Sequence, residues 1–209
     1  MARYVISDAS PLTGLAIVNG LDWLPALFGT VWIPPSVQLE VLPGTGARGE
    51  TEIALAIETK HISIWRQKIP APPPNMHSLD QGEVECICLA LTQPAGQALV
   101  LIDERAGRAI ANEFGIQVAG TAAVIGFAKR HGLIESAKAC FERLHSSDFR
   151  ISKKVIQTVL RNVDELCLSQ CMTSSTTDFN AALSSVKPIC PMPGNKFTGQ
   201  SFPALCTIP

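Results

Sequence analysis

Two short apolar runs that each stop at an aspartate constrain this chain more than any other feature. Arg3 to Ser7 leads into Asp8, and Ala98 to Ile102, which contains no polar side chain, leads into Asp103. A continuous apolar run of this kind reads as a strand buried on both faces, the mark of a parallel sheet covered by helices. Each aspartate is followed by a helical pattern. Ala9-Ser10-Pro11 turns into Leu12, Leu15 and Ala16, and Glu104 opens a stretch running to Phe114. Strands of one parallel sheet joined by crossovers end on the same edge, so Asp8 and Asp103 are expected to face one crevice.

The intervening chain keeps the alternation. A helix is predicted near Leu21 to Phe28 and a strand over Val31 to Ile33. Pro34-Pro35-Ser36 then starts a helix that carries Glu40 and ends at Pro43-Gly44. Gly49 to Thr59 reads as a helix, His61 to Trp65 as a strand, and Pro70 to Pro74 as an extended connector. Ser78 to Asp80 marks a helix entry. Val84, Ile87, Cys88 and Leu91 follow at helical spacing, which puts Glu83 and Glu85 in the first turn. Ile116 to Ala119 reads as a strand and Gly120-Thr121 as a turn into a helix through Arg130. Two amphipathic helices, about Glu135 to Leu144 and Ser152 to Leu166, complete the pattern. The expected class is α/β, with helices on both sides of a parallel sheet.

At 209 residues and 46% hydrophobic content the chain is long enough to bury a substantial core. One domain is expected over residues 1–165. Beyond it the composition changes sharply, for between Cys167 and Pro209 only Asp178, Lys187 and Lys196 are charged. Residues 166–209 therefore read as an irregular Cys/Ser/Thr/Pro-rich tail, either an abnormal extension or an appendage. The seven cysteines are an odd number. Cys86 and Cys88 read as small core residues, and Cys167 with Cys171 lacks the second ligand pair that a structural zinc needs. No apolar run approaches the roughly 18 residues of a membrane span, and the start lacks the basic and apolar regions of a secretion signal. A cytoplasmic protein without membrane association is expected.

Taken singly, each acid has an ordinary role. Asp8 and Asp103 can cap the helices that follow them, Glu40 can be a solvated helix residue, and Glu83 or Glu85 can complement a helix dipole. Taken as a set they mean more. Carboxylates gathered at strand ends repel one another, and a hard divalent cation, which prefers oxygen ligands, relieves that repulsion. Such an ion lowers the pKa of a bound water and suits phosphodiester hydrolysis.

The order of the motifs points further. VISDASPL at 5–12, IPPSVQLEVL at 33–42, LDQGEVECICLAL at 79–91 and VLIDERAGRAIANEFGIQVAGTAAV at 100–124 together resemble a PIN domain over residues 3–165. The likeness is to the prokaryotic subgroup, which includes toxins of toxin-antitoxin pairs. This resemblance implies a three-layer α/β/α sandwich and a Mg2+- or Mn2+-dependent ribonuclease site. By motif, Asp8, Glu40 and Asp103 correspond to catalytic acids, with Asp8, Glu85 and Asp103 as metal ligands. Glu83 follows Gly82 as the subgroup's acid does, whereas Glu85 heads the stretch resembling its acid-Ala-Ile helix, so both remain candidates. Where many PIN domains carry a final acid, this chain has Thr121, which can hold a metal-bound water or cap its helix.

RNA is the implied substrate. The formal charge of -1 offers no global attraction for it, but Lys129 to Arg161 contains eight Lys/Arg against three acids. Arg105 and Arg108, just after Asp103, are the better candidates for phosphate contact. Aromatic content of 6% argues against a base-stacking platform. The resemblance further implies a homodimer and an antitoxin protein as partner. A non-catalytic PIN-fold binding module is the main competing reading. A nucleotide-binding or receiver-type domain is disfavoured because no Gly-rich phosphate loop follows the first strand.

Overall fold

The computed structural model describes residues 3–165; the tail and the Cys167/Cys171 pair lie outside them. In chain order the elements are β1 (Tyr4–Ser7), α1 (Ala9–Ile17), α2 (Trp23–Phe28), β2 (Val31–Ile33), α3 (Pro35–Val41), α4 (Glu50–Glu58) and β3 (Ile62–Ile64). A single 3-10 turn (Pro74–Met76) then interrupts the proline-rich connector. It is followed by α5 (Gln81–Leu91), β4 (Ala98–Leu101), α6 (Arg105–Glu113), β5 (Gln117–Ala119), α7 (Thr121–Arg130), α8 (Ala137–His145) and α9 (Lys153–Asn162).

The five strands form one parallel sheet in the order β3-β2-β1-β4-β5. β4 lies between β1 and β5, and all four of its residues are buried, the environment its unbroken apolar run demands. Helices surround the sheet. α5 packs on β1 and β4 and touches α6, while α1 packs against α4, α7 and α8, and α3 contacts both α1 and α5. This is the expected α/β/α sandwich.

The chain builds outward from β1 through β2 to β3, then crosses back to lay β4 on the other side of β1. The boundary between β1 and β4 is therefore the topological switch point, where crossovers diverge and leave a crevice at the carboxyl ends of the strands. Ser7 pairs with Leu101, and the Asp8 amide donates to the Leu101 carbonyl at 3.0 Å, so Asp8 leaves the sheet at this crevice. Asp103 leaves it two residues beyond Leu101.

The last helix is shorter than its sequence pattern. α9 stops at Asn162, and Asp164 adopts a left-handed φ of 57°, which turns Glu165 back onto α8. There its carboxylate accepts hydrogen bonds from the Ala137 and Lys138 amides, both at 2.8 Å. Propensity favoured continuing the helix, and these tertiary bonds to the open amino end of α8 stop it. Among the described residues no helix is long and apolar enough to cross a membrane.

Candidate active site

Asp8 occupies the N-cap position of α1 with extended backbone, yet its side chain makes no capping hydrogen bond. The ordinary role for an aspartate there is thus not the one it fills. The residue is 3% exposed, and its Oδ1 is buried without a hydrogen-bond partner. Burial raises its pKa to about 7, the nearby Ala9 amide offsets part of the shift from outside hydrogen-bonding geometry, and the charges of Asp80, Glu40 and Glu83 add to it.

Glu83 and Glu85, two residues apart on α5, have opposite surroundings. Asp80 caps α5 by accepting the Glu83 amide at 2.8 Å, and Glu83 Oε2 reaches back to the Asp80 amide at 3.4 Å, which completes a capping box. The other oxygen of Glu83, Oε1, is buried without a partner. Burial, followed by the Asp80 charge, raises the pKa of this carboxyl group. Glu85 turns the other way. Its carboxylate takes hydrogen bonds from the Ser36 hydroxyl at 2.6 Å, the Ser36 amide at 3.2 Å and Gln81 at 3.0 Å. Burial acts against it, but those donors prevail and lower its pKa. Glu83 therefore joins Asp8, whereas Glu85 ties α5 to α3.

Glu40 stands exposed in the last turn of α3, its carboxyl pKa raised by partial desolvation and by Asp80. Asp80 acts on Asp8, Glu40 and Glu83 alike. Along the sequence Asp80 reads only as part of a helix entry. The spacing Asp80-x-x-Glu83, a capping-box signature, was the available signal that both residues converge on one helix end.

Asp103 stands at the neighbouring strand end and is not among the carboxylates acting on Asp8. Both of its oxygens are engaged by Thr121, Oδ1 by the amide at 2.8 Å and Oδ2 by the hydroxyl at 2.6 Å. Thr121, fully buried, thus serves in a third way that the sequence did not suggest, as a two-pronged holder of an acid 18 residues away. Burial raises the Asp103 pKa, the Thr121 bonds and then Arg108 oppose it, and Glu104 adds to it. Arg108 is half-buried and donates weakly to the Ile102 carbonyl at 3.4 Å, while Arg105 is exposed. Of the basic stretch, Lys129 is bound to Glu165 at 3.1 Å and Arg143 to the Ile17 and Val18 carbonyls at the end of α1. The surface those residues offer to phosphates is smaller than the sequence count implied.

The donor set consists of hard oxygens, and two of them, Asp8 Oδ1 and Glu83 Oε1, are buried and unpartnered. Among the described residues no three acidic, histidine or cysteine side chains converge on one point. That geometry fits an ion held directly by one or two carboxylates that keeps several of its waters, the habit of Mg2+ and Mn2+ rather than of zinc.

A sequence-family model described as a PIN domain matches residues 4–165. No curated protein and no solved structure matches the chain.

Proposed function

We propose, from the premise that the chain belongs to the PIN domain family, that it is an endoribonuclease dependent on Mg2+ or Mn2+. The observation that carries this reading is the pair of buried, unpartnered carboxylate oxygens, Asp8 Oδ1 and Glu83 Oε1, beside the switch point of the sheet. A buried acceptor without a donor costs free energy, and a carboxylate meets that cost by taking a proton or a cation.

A bound divalent cation supplies a water of lowered pKa and neutralises charge that develops on the phosphate. Asp8 and Glu83 are the proposed direct ligands, with Asp103 presented by Thr121 from the next strand end. Glu40 and Asp80 lie further out and act through water or through charge alone. Arg108, beside Asp103, faces a phosphate oxygen, and exposed Arg105 extends that positive edge. At a pH below about 7 and without a cation, Asp8 holds a proton.

The test is cleavage of a single-stranded RNA with Mn2+, against EDTA and against Asp103→Asn. The wild type is expected to cut with Mn2+ alone, and the variant to lose about 100-fold in rate. Equal cutting by both proteins, or cutting in EDTA, would overturn the mechanism. The two glutamates provide a sharper contrast. Glu83→Gln is expected to weaken Mn2+ binding about tenfold or more, whereas Glu85→Gln leaves it unchanged and lowers thermal stability, because the bonds from Ser36 lose their charge assistance and an amide group replaces the oxygen that accepts from Gln81. Calorimetric titration with MnCl2 separates these results, and the reverse pattern would assign the ligand to Glu85.

The toxin assignment, an antitoxin partner and a homodimer belong to the same proposal, and light scattering of the purified chain tests the last of them. A second reading is a non-catalytic PIN-fold module that binds nucleic acid or a protein. It draws on the absence, among the described residues, of three converging acids. Failure of the wild type to bind Mn2+ would favour it.

A further inference from the structure

Three glycines border the proposed site, each on a different element from the acid it faces. A Cβ built on Gly82, in α5, would lie 2.8 Å from Asp8 Oδ1. One on Gly107, in α6, would collide with Glu83 Oε1 and lie 3.0 Å from its Cδ. One on Gly120, before α7, would lie 2.5 Å from Asp103 Oδ1. None of the three has the positive φ that glycine alone adopts readily: Gly120 has φ -123°, and the other two lie within helices. Backbone freedom therefore does not account for them. Space does, because in each case the atom nearest to the empty Cβ position is a carboxylate oxygen, with Val37 Cγ2 next at Gly82 and Arg108 Nη1 next at Gly120.

We infer that Gly82, Gly107 and Gly120 are positioning residues, and that the missing Cβ of each is the seat of one site carboxylate, Asp8, Glu83 and Asp103 in turn. The inference rests on the metal-site reading given above and extends it to residues with no side chain of their own. Gly107 is the most informative of them. Its helix, α6, packs against α5, and the closest atoms its Cβ would meet belong to the free end of Glu83 rather than to any backbone. A methyl group there displaces the carboxylate and leaves the fold in place. Helix propensity does not account for glycine in the first turn of α6 either, since alanine is the better helix former.

The experiment is calorimetric titration of the full-length chain with MnCl2, together with thermal melting of the metal-free protein. Gly107→Ala is expected to weaken Mn2+ binding about tenfold or more, with a melting temperature no lower than that of the wild type. Gly126→Ala serves as control, because its Cβ would meet only Val159 Cγ1, at 3.0 Å, and Mn2+ binding should be unchanged. Adding Glu83→Asp to Gly107→Ala withdraws the carboxylate by one methylene from the new methyl group and is expected to recover part of the affinity. A merely structural role for Gly107 predicts no such rescue. If wild type binds Mn2+ and Gly107→Ala binds it equally, or if Gly107→Ala loses its thermal transition, this inference is overturned while the nuclease reading stands. A wild type that binds no Mn2+ overturns the nuclease reading and this inference with it.

Discussion

Asp8→Asn is expected to lower RNA cleavage on the order of a thousandfold and at the same time to stabilise the metal-free protein at neutral and alkaline pH. The two effects share one cause. Asp8 is 3% exposed, its Oδ1 is unpartnered, and its pKa stands at about 7 instead of 3.8. Between those two values the native state binds a proton that the unfolded chain has released, so native stability falls as pH rises through that window. At about 1.4 kcal/mol per pKa unit the full loss is roughly 4 kcal/mol, or about 10 °C in melting temperature for a domain of this size. Asparagine carries no charge to bury and should show a shallower profile, its remaining slope coming from Glu83, Glu40 and Asp103, whose pKa values burial also raises. Its own amide hydrogens need partners there, so its gain at pH 8 stays below that ceiling. Melting curves from pH 5 to pH 8, with and without Mn2+, provide the check. The metal-free wild type should lose stability across the range and Mn2+ should restore it. Parallel wild-type and Asp8→Asn profiles would show that Asp8 is not the group that titrates.

Glu165→Ala is expected to have the largest effect on folding away from the site. The carboxylate accepts from the Ala137 and Lys138 amides, from the Ser136 hydroxyl at 3.0 Å, and from Lys129 at 3.1 Å. It thereby satisfies amides at the start of α8 that the helix itself leaves open. Ser136, the N-cap, takes only the Ala139 amide. Removing the carboxylate strands those donors, at a cost of about 3 kcal/mol. Its pH dependence has the opposite sign to that of Asp8. Burial opposes the charge, but the four donors outweigh it and hold the pKa below the ordinary 4.5. The stabilisation is therefore present above 4.5 and is lost as pH falls through the lowered value. Urea unfolding of wild type and Glu165→Ala should differ most at neutral pH and converge in strong acid. A constant difference throughout would mean that the contribution is packing and not charge.

Much of this protein is legible along the chain, because the relevant signals are local. The apolar runs before Asp8 and Asp103 imply buried parallel strands whether or not their neighbours are known, and two such strands place both aspartates at one sheet edge. Helix starts at Pro35 and Asp80 are local in the same way, since fixed φ and side-chain capping act within one turn. The choice between Glu83 and Glu85 could not be made there. Two residues apart, they point about 200° from each other around the helix, and only the packing of α5 against α6 on one side and α3 on the other decides which carboxylate is buried. The same holds for Thr121 gripping Asp103, for Glu165 closing α8, and for the empty space at Gly107. Each joins residues from different elements, so its free energy exists only once the sheet has brought those elements together. The sequence by itself determined which edge would carry the carboxylates, and tertiary packing decided which oxygens were left there without a partner.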